Sequence, residues 1–162
     1  MDKDQPKLDR LLLEASRLGV TNIQTEARDL LADPPSANLF DLVLVDAPCT
    51  GLGVIRRRLD LKWSKTEEDI GRLAELQQRL LAAAAPSVKP GGRLIYGVCS
   101  FSREEGPEAA AKFLAAHPDF KAVPPSAWPE ILQEYLSYEG HLTLLPHRHG
   151  TDGFFWAMFE KI

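Results

Sequence analysis

The sequence predicts an α/β fold with an open, doubly wound sheet. Apolar runs that are typical of strands alternate along the chain with longer segments whose apolar residues follow a helical period. Residues 42–45 form a continuous apolar run, which is typical of a strand buried on both faces of a parallel sheet. The chain of 162 residues is long enough for one compact domain and too short for two of ordinary size.

The individual elements follow from apolar spacing and from the residues that begin and end them. Pro6 lies near the start of the first helix, and Gly19 ends it. Thr66, with Asp69 three residues later, forms a capping box for the longest helix, which runs to Pro86. The strands are short apolar runs bounded by turn residues. Residues 90–92 are predicted to form a turn before one strand, and Gly153 precedes the last strand. The predicted helices cover residues 8–18, 66–86 and 104–116, and the predicted strands cover residues 21–27, 39–46, 93–98 and 154–161.

Composition excludes several classes of protein. With 44% hydrophobic and 26% charged residues the chain is not disordered, and no apolar run is long enough to cross a membrane. Nineteen basic against 23 acidic side chains give a net charge of −4, so the whole molecule is not a polycation that coats nucleic acid. The N-terminus lacks a secretory signal, and two cysteines fit neither a disulfide scaffold nor a four-ligand zinc site. We therefore expect a cytoplasmic protein without a metal site.

The two cysteines directly follow two of the predicted strands. Asp46 ends one strand and is followed by Cys49, whereas Cys99 comes directly after the next strand. If these strands are parallel, both thiols and Asp46 meet at the edge of the sheet where ligands bind. Gly51 and Gly53 then allow the backbone to approach such a ligand closely. Taken singly, either cysteine is equally well interpreted as a small buried hydrophobic residue.

The segments around these cysteines resemble a known family. DAPCTG at residues 46–51 and YGVCS at residues 96–100 look like the fourth and sixth motifs of the Sun family of RNA cytosine-C5 methyltransferases. The resemblance extends over nearly the whole chain. The further matching segments are residues 56–63, 77–81, 89–94 and 144–155. This resemblance implies a Rossmann-like class I methyltransferase fold, S-adenosylmethionine as cofactor, and ribosomal or transfer RNA as substrate.

The resemblance also implies roles for individual residues. Cytosine C5 is a poor nucleophile, and addition of a thiolate to C6 activates it. By resemblance, Cys99 is this nucleophile and Cys49 resolves the covalent adduct after methylation. Asp46 is expected to contact the cofactor, Asp29 to meet its adenine end and Asp2 to accept from its ribose hydroxyls. For Asp29 and Asp2, a solvated or helix-capping aspartate is the alternative interpretation.

A short basic segment is the predicted RNA contact. Residues 56–65 carry five basic side chains and one acidic side chain, so an acidic protein has a local charge of +4 here. The side chains expected to bind RNA phosphates are Arg56, Arg57, Arg58 and Lys62. Trp63 in the same segment could stack on a base, but packing into the core is the interpretation we favour.

The sequence does not match the family's first strand and the glycine-rich loop that follows it. We therefore expect residues 1–162 to be a partial methyltransferase catalytic domain, truncated at its N-terminal side, which binds S-adenosylmethionine poorly and has little activity alone. The open sheet edge is expected either to be closed within the chain or to pair with a second copy. The alternative function is a non-catalytic RNA-interaction remnant of a methyltransferase. A hydrolase with a thiol nucleophile is less well supported, because no histidine lies near either cysteine in sequence.

Overall fold

Helices and strands alternate in the computed structural model, which describes residues 1–162. Met1–Pro35 form one compact unit and Ser36–Ile162 form a second. The helices are α1 (Gln5–Arg17), α2 (Leu61–Ser64), α3 (Glu67–Ala84), α4 (Pro107–Ala116), α5 (Glu130–Gln133) and α6 (Pro146–His149). The strands are β1 (Phe40–Asp46), β2 (Val88–Val98), β3 (Phe120–Ala122), β4 (Leu142–Leu144) and β5 (Phe154–Lys161). No helix has the length and apolar character needed to cross a membrane.

The first unit consists mainly of α1. The side chain of Asp4 caps this helix by accepting from the amide of Lys7, so the predicted helix is confirmed and begins slightly earlier than expected. The strand predicted over residues 21–27 is wrong. Within that range only Ala27 pairs, through an isolated parallel bridge with Asp2. A β-strand needs a continuous hydrogen-bonded neighbour, and this segment meets one at a single position.

The sheet of the second unit is mixed. Its order is β1-β2-β5-β3, and β4 also pairs with β5. Only β1 and β2 are parallel, because β5 runs antiparallel to β2, β3 and β4. The α/β class predicted from the sequence is confirmed, although antiparallel pairs dominate within these residues. Strands β1 and β5 begin within one residue of their predicted positions.

Strand β2 is longer than predicted. The turn expected at residues 90–92 lies inside the strand, which begins at Val88. Its pairing with β1 is interrupted there, since Phe40 pairs with Val88 and the next pair is Leu42 with Arg93. Gly91 has a φ of +74°, so the predicted turn becomes an irregularity within the ladder rather than its end.

Strand β1 lies at the edge of the sheet. Leu42 and Leu44 are each 57% exposed, whereas Val45 is buried. The prediction that the apolar run is buried on both faces is therefore wrong for this structure. A strand with only one neighbour has less of its surface covered than a central strand. Pairing of this edge with a second copy stays a prediction.

We expect charges on β1 to weaken self-association. Replacing both Leu42 and Leu44 with lysine should lower the dimer association constant at least about tenfold, because a charged edge opposes strand pairing and apolar burial. Sedimentation equilibrium over a concentration series measures this constant. Leu59→Lys is the matched control, since Leu59 is 68% exposed and lies outside the sheet. A wild-type chain that stays monomeric throughout the series would contradict the prediction.

Helices α3 and α4 pack against each other, and the core forms between them and the sheet. The capping box of α3 is confirmed, because Thr66 and Asp69 exchange backbone-to-side-chain hydrogen bonds of 3.1 and 3.4 Å. Large side chains with no more than 1% exposure fill the core. They include Leu81, Leu94, Tyr96, Phe113, Phe155 and Phe159. This packing anchors α3 and β2. One loop of the candidate site follows β2, and the other follows β1.

Candidate active site

The two cysteines lie in loops that follow the parallel strands β1 and β2. We call residues 47–51 the Cys49 loop and residues 99–105 the Cys99 loop. At the strand ends Asp46 pairs with Gly97, and the amide of Ala47 donates to the carbonyl oxygen of Gly97 over 3.0 Å. The sulfur of Cys49 then lies 3.1 Å from the sulfur of Cys99. The expectation that both thiols meet at one edge of the sheet is confirmed.

The two thiols differ in acidity because they share a hydrogen bond. The Cys49 thiol donates to Cys99 and thereby lowers the pKa of Cys99 to about 7, although burial and the charges of Asp46 and Glu105 act to raise it. The same hydrogen bond raises the pKa of Cys49 far above that of an ordinary thiol, and burial adds to the increase. Near neutral pH a large share of Cys99 is therefore thiolate while Cys49 keeps its proton.

Glycines bring three segments of backbone together beside the thiols. The amide of Gly53 donates to the carbonyl oxygen of Cys99 over 3.0 Å, and the amide of Gly153 donates to that of Gly53 over 2.8 Å. A Cβ atom on Gly53 would lie 2.0 Å from the carbonyl oxygen of Gly153. The prediction that Gly53 leaves room for a ligand is therefore wrong. Backbone fills that space. Gly51 has a φ of +76°, a left-handed conformation that favours glycine.

Asp46 is exposed at the end of β1. Its carboxylate makes no hydrogen bond or ion pair within the chain, so both of its oxygens are available to a ligand. Its negative charge also acts on Cys99, whose pKa it raises. The structure thus brings Asp46 and the two thiols to one edge of the sheet, as the sequence predicted.

Asp2 and Asp29 lie in the first unit, at the ends of two short parallel segments. The amide of Arg28 donates to the carbonyl oxygen of Asp2 over 3.1 Å, which brings the segments side by side. One carboxylate oxygen of Asp2 accepts from the amide of Asp4 at 3.0 Å, and one of Asp29 accepts from the amide of Leu31 at 2.9 Å. The second carboxylate oxygen of Asp2 lies 3.9 Å from the ammonium group of Lys7, and that of Asp29 has no partner within the chain. Their predicted roles toward a cofactor stay predictions.

The predicted RNA-binding arginines are paired with acids. Arg56 and Arg57 both form ion pairs with Asp152, the second with a distance of 2.9 Å. Arg58 pairs with Asp60 at 3.1 Å. All three arginines remain exposed, whereas the Asp152 side chain is only 11% exposed. Asp152 lies about a hundred residues from these arginines in the sequence, so this partial neutralisation of the basic segment could not be anticipated.

Trp63 does not pack into the core. The short helix α2 that carries it buries none of its residues, and Trp63 is 83% exposed. The ammonium group of Lys62 lies 5.2 Å from the centre of its ring. The favoured interpretation of Trp63 as a core residue is therefore wrong, and its ring is available for stacking.

A cavity of about 410 Å³ opens beside the Cys99 loop. Phe101, two residues after Cys99, forms part of its wall and is 44% exposed. Arg56 contributes a cation to an otherwise mainly apolar lining. An aromatic ring and a guanidinium group are suited to a nucleobase and its phosphate.

Glu105 is a buried residue of the site that the sequence did not predict. The helix expected from residue 104 begins at Pro107, so Glu105 lies in the Cys99 loop and is 0% exposed. The buried hydroxyl of Tyr96 donates to its backbone carbonyl oxygen over 2.6 Å. The only signal in the sequence is the Ser102-x-x-Glu105 spacing, which is typical of an exposed helix start. Burial of this side chain depends on groups that are distant in sequence.

Comparison with known proteins identifies the family. A family model described as 16S rRNA methyltransferase RsmB/F matches residues 1–160. The chain belongs to this family. The resemblance to the Sun family seen in the cysteine motifs is thereby confirmed.

Curated relatives of this RsmB/F chain carry corresponding names. The probable ribosomal RNA small subunit methyltransferase B of Bacillus subtilis is 39% identical over 165 residues, with 99% of this chain and 37% of the relative covered. A protein of the same name from Synechocystis is 38% identical over 162 residues, with 99% and 36% covered. The chain thus spans little more than a third of the length of these relatives.

Solved structures share the fold. The crystal structure of PH0851 has a TM-score of 0.89 and 37% identity, with 99% of this chain and 36% of that chain covered. The crystal structure of NSun6 from Pyrococcus horikoshii with SFG has a TM-score of 0.76 and 30% identity, with 98% and 40% covered. The methyltransferase fold implied by the sequence motifs of this RsmB/F chain is therefore confirmed.

Proposed function

We propose that residues 1–162 form part of the catalytic domain of an RNA methyltransferase that modifies C5 of cytosine. The observation that carries this proposal is the pair of thiols 3.1 Å apart at the shared edge of β1 and β2. A hydrolase needs one nucleophile and a base, whereas cytosine methylation needs one thiolate to add and a second group to release the adduct. The names of the relatives favour ribosomal RNA as the substrate.

Cys99 acts as the nucleophile. Its thiolate attacks C6 of cytosine, so that the S–C6 bond forms and the electrons of the C5=C6 double bond move to C5. C5 thereby gains the nucleophilic character needed to accept a methyl group. The lowered pKa of Cys99 supports this assignment, since the thiolate is the reactive form.

Cys49 acts after methyl transfer. The C5 proton must leave for the C5=C6 bond to re-form and the S–C6 bond to break. The high pKa of Cys49 depends chiefly on its hydrogen bond to Cys99, which is lost once the Cys99 sulfur is bonded to carbon. The pKa of Cys49 then falls, its thiol releases a proton to solvent, and the resulting thiolate accepts the proton from C5.

Three carboxylates are proposed, each by itself, as contacts of the cofactor. When bound, S-adenosylmethionine supplies the methyl group. Asp46 fits S-adenosylmethionine because its exposed carboxylate is unpaired at the sheet edge that carries the thiols. The cofactor also fits Asp2 and Asp29, which lie on adjacent parallel segments. Each has a carboxylate oxygen without a backbone donor, which can accept from the ribose hydroxyls in the case of Asp2 and from the adenine amino group in the case of Asp29. We assign these roles as proposals.

The basic segment and the neighbouring cavity would hold RNA. The guanidinium groups of Arg56, Arg57 and Arg58 remain exposed beside their carboxylate partners and can contact phosphates. Lys62 adds a further cation, and the exposed ring of Trp63 can stack on a base. The sulfur pair and this surface are connected through Gly53, whose amide binds the carbonyl oxygen of Cys99.

Trapping with a fluorinated substrate tests the proposal. Small-subunit ribosomal RNA transcribed with 5-fluorocytidine is incubated for many hours with the chain and a large excess of S-adenosylmethionine, because we expect the chain to bind this cofactor poorly and to react slowly. Covalent complexes are then separated on a denaturing gel. Fluorine at C5 cannot leave as a proton does, so one turnover suffices to leave a permanent adduct. We expect an adduct in wild type and in Cys49→Ala, and none in Cys99→Ala.

Unmodified RNA provides the matched comparison. With unmodified RNA, Cys49→Ala should accumulate the covalent adduct between Cys99 and the RNA, whereas wild type should release its methylated product. An adduct that persists in Cys99→Ala and disappears in Cys49→Ala would reverse the two roles. Binding of the RNA without any adduct in wild type would reject the enzymatic proposal in favour of a non-catalytic RNA-interaction remnant.

A further inference from the structure

The carboxylate of Glu105 is held by four donors. Its Oε1 atom accepts from the amide of Thr50 at 2.8 Å and from Nε2 of Gln77 at 3.1 Å. Its Oε2 atom accepts from the hydroxyl groups of Thr50 and Ser102, the latter at 3.2 Å. A carboxylate out of contact with water is stable only when such donors replace its hydration. These four hydrogen bonds therefore account for the complete burial of the side chain.

The four donors belong to three separate parts of the fold. Thr50 belongs to the Cys49 loop, Ser102 belongs to the Cys99 loop and Gln77 lies on α3. Gln77 also donates to the carbonyl oxygen of Pro48 over 3.0 Å, which ties the Cys49 loop to α3 a second time. Glu105 is thus a buried point at which both cysteine-bearing loops are fastened to each other and to a core helix, beside a direct contact of 3.3 Å between the hydroxyl groups of Thr50 and Ser100.

We propose that Glu105 is a positioning residue, which fastens the Cys49 loop to the Cys99 loop and so keeps the two sulfur atoms within hydrogen-bond distance. The inference rests on the proposed function, because it concerns the same pair of thiols. Glu105 itself is not hydrogen-bonded to either sulfur. It acts through Thr50, the residue after Cys49, and through its own place at the end of the Cys99 loop.

A carboxylate is suited to this position because it only accepts hydrogen bonds. Glutamine has the same shape, but its amide group would direct N–H bonds toward groups that are themselves donors. The hydroxyl groups of Thr50 and Ser102 can rotate to accept. The amide of Thr50 and the side-chain nitrogen of Gln77 cannot, so a glutamine turns its oxygen toward these two donors and its amino group toward the two hydroxyls. All four hydrogen bonds can then form without the negative charge. Glu105→Gln therefore removes the charge alone, whereas Glu105→Ala removes the acceptor for all four donors.

The test is the alkylation rate of Cys99, measured with iodoacetamide against pH and mapped by peptide mass. Glu105→Ala, which removes the acceptor for all four donors, is introduced with Cys49 present and, separately, into Cys49→Ala. With Cys49 present we expect alkylation of Cys99 at pH 6.5 to slow about tenfold, because loss of the Cys49 hydrogen bond leaves less thiolate. In the Cys49→Ala background we expect no slowing, because there is no partner left to position.

The other charged groups near Cys99 do not reverse the expected slowing of its alkylation. The charges of Asp46 and Glu105 both disfavour the Cys99 thiolate, and the effect of Glu105 is the smaller of the two. Removing the Glu105 charge alone would therefore slightly accelerate alkylation. Slowing that requires Cys49 identifies positioning and excludes a direct charge effect.

Two further variants keep the test decisive. Glu104→Gln removes the charge of the neighbouring exposed glutamate and should leave the rate unchanged. Ser102→Ala removes one hydroxyl donor to Glu105, and we expect it to slow alkylation about threefold in the presence of Cys49. Ser102→Ala decides the question if Glu105→Ala does not fold, as judged by circular dichroism.

An unchanged rate in folded Glu105→Ala would overturn the proposal, as would equal slowing with and without Cys49. The assay contains neither RNA nor cofactor. Failure to trap a covalent RNA adduct, together with slowing that depends on Cys49, would therefore count against the proposed function and leave the positioning role of Glu105 standing.

Discussion

Gly53→Ala is expected to lower the free energy of unfolding by about 3 kcal/mol and the Tm by about 10 °C. The added Cβ atom would lie 2.0 Å from the carbonyl oxygen of Gly153 and 2.9 Å from that of Cys99. Both obstacles are backbone atoms and cannot rotate away as a side chain can. Relief of the clash must break the hydrogen bonds that join Gly53 to Cys99 and Gly153. Thermal unfolding followed by circular dichroism measures the loss.

Gly71→Ala is the matched control for this substitution. Gly71 lies within α3, and a Cβ atom there would meet nothing within 4 Å. We expect this variant to be more stable than wild type by about 0.5–1 kcal/mol, because alanine favours a helix interior over glycine. The same substitution of glycine by alanine should thus destabilise the protein at position 53 and stabilise it at position 71. Equal stability of Gly53→Ala and wild type would show that the two backbone segments are not in contact.

Cys49→Ala is expected to raise the pKa of Cys99 from about 7 to the ordinary thiol value of about 8.5 or above. The hydrogen bond from Cys49 is the largest cause of the low pKa, and burial then acts to raise it. Alkylation requires the thiolate, so its rate increases as the pH rises through the pKa. At pH 6 the variant should react about thirtyfold more slowly than Cys99 in wild type.

Cys49→Ser provides the control for loss of the hydrogen bond. A serine hydroxyl still donates to Cys99, so the midpoint of the pH–rate curve should fall between those of wild type and Cys49→Ala. The chain has two cysteines, and both variants retain only Cys99 as a reactive thiol. A midpoint that stays near pH 7 in Cys49→Ala would show that another group stabilises the thiolate.

Local sequence signals were sufficient for most of the regular elements. The capping box at Thr66, the apolar run before Asp46 and the glycine at position 153 mark α3, β1 and β5 to within one or two residues. These local signals gave wrong predictions where a segment with strand character lacks a neighbouring strand on one or both sides. Residues 21–27 have strand character but pair only at Ala27, and Leu42 of β1 is exposed because its strand lies at the sheet edge.

The candidate site was predicted in part. The succession of strand and cysteine, repeated twice, was enough to place both thiols at one sheet edge once the strands proved to be parallel. Trp63 does not lie in the core, where it was predicted, and the burial of Glu105 was not predicted at all. A tryptophan on a four-residue helix and a glutamate beside a helix start have no local signature that reports their burial.

By itself the sequence determined the family, the order of the main elements and the chemical type of the reactive groups, because motifs and periodicity are properties of neighbouring residues. Only the tertiary structure decided how those groups act. The sulfur–sulfur contact joins residues 50 positions apart, and the Arg56–Asp152 ion pair joins residues 96 apart. Acidity, steric fit and burial depend on the atoms that surround a group. Here the chain supplies those atoms from segments that meet only after it has folded.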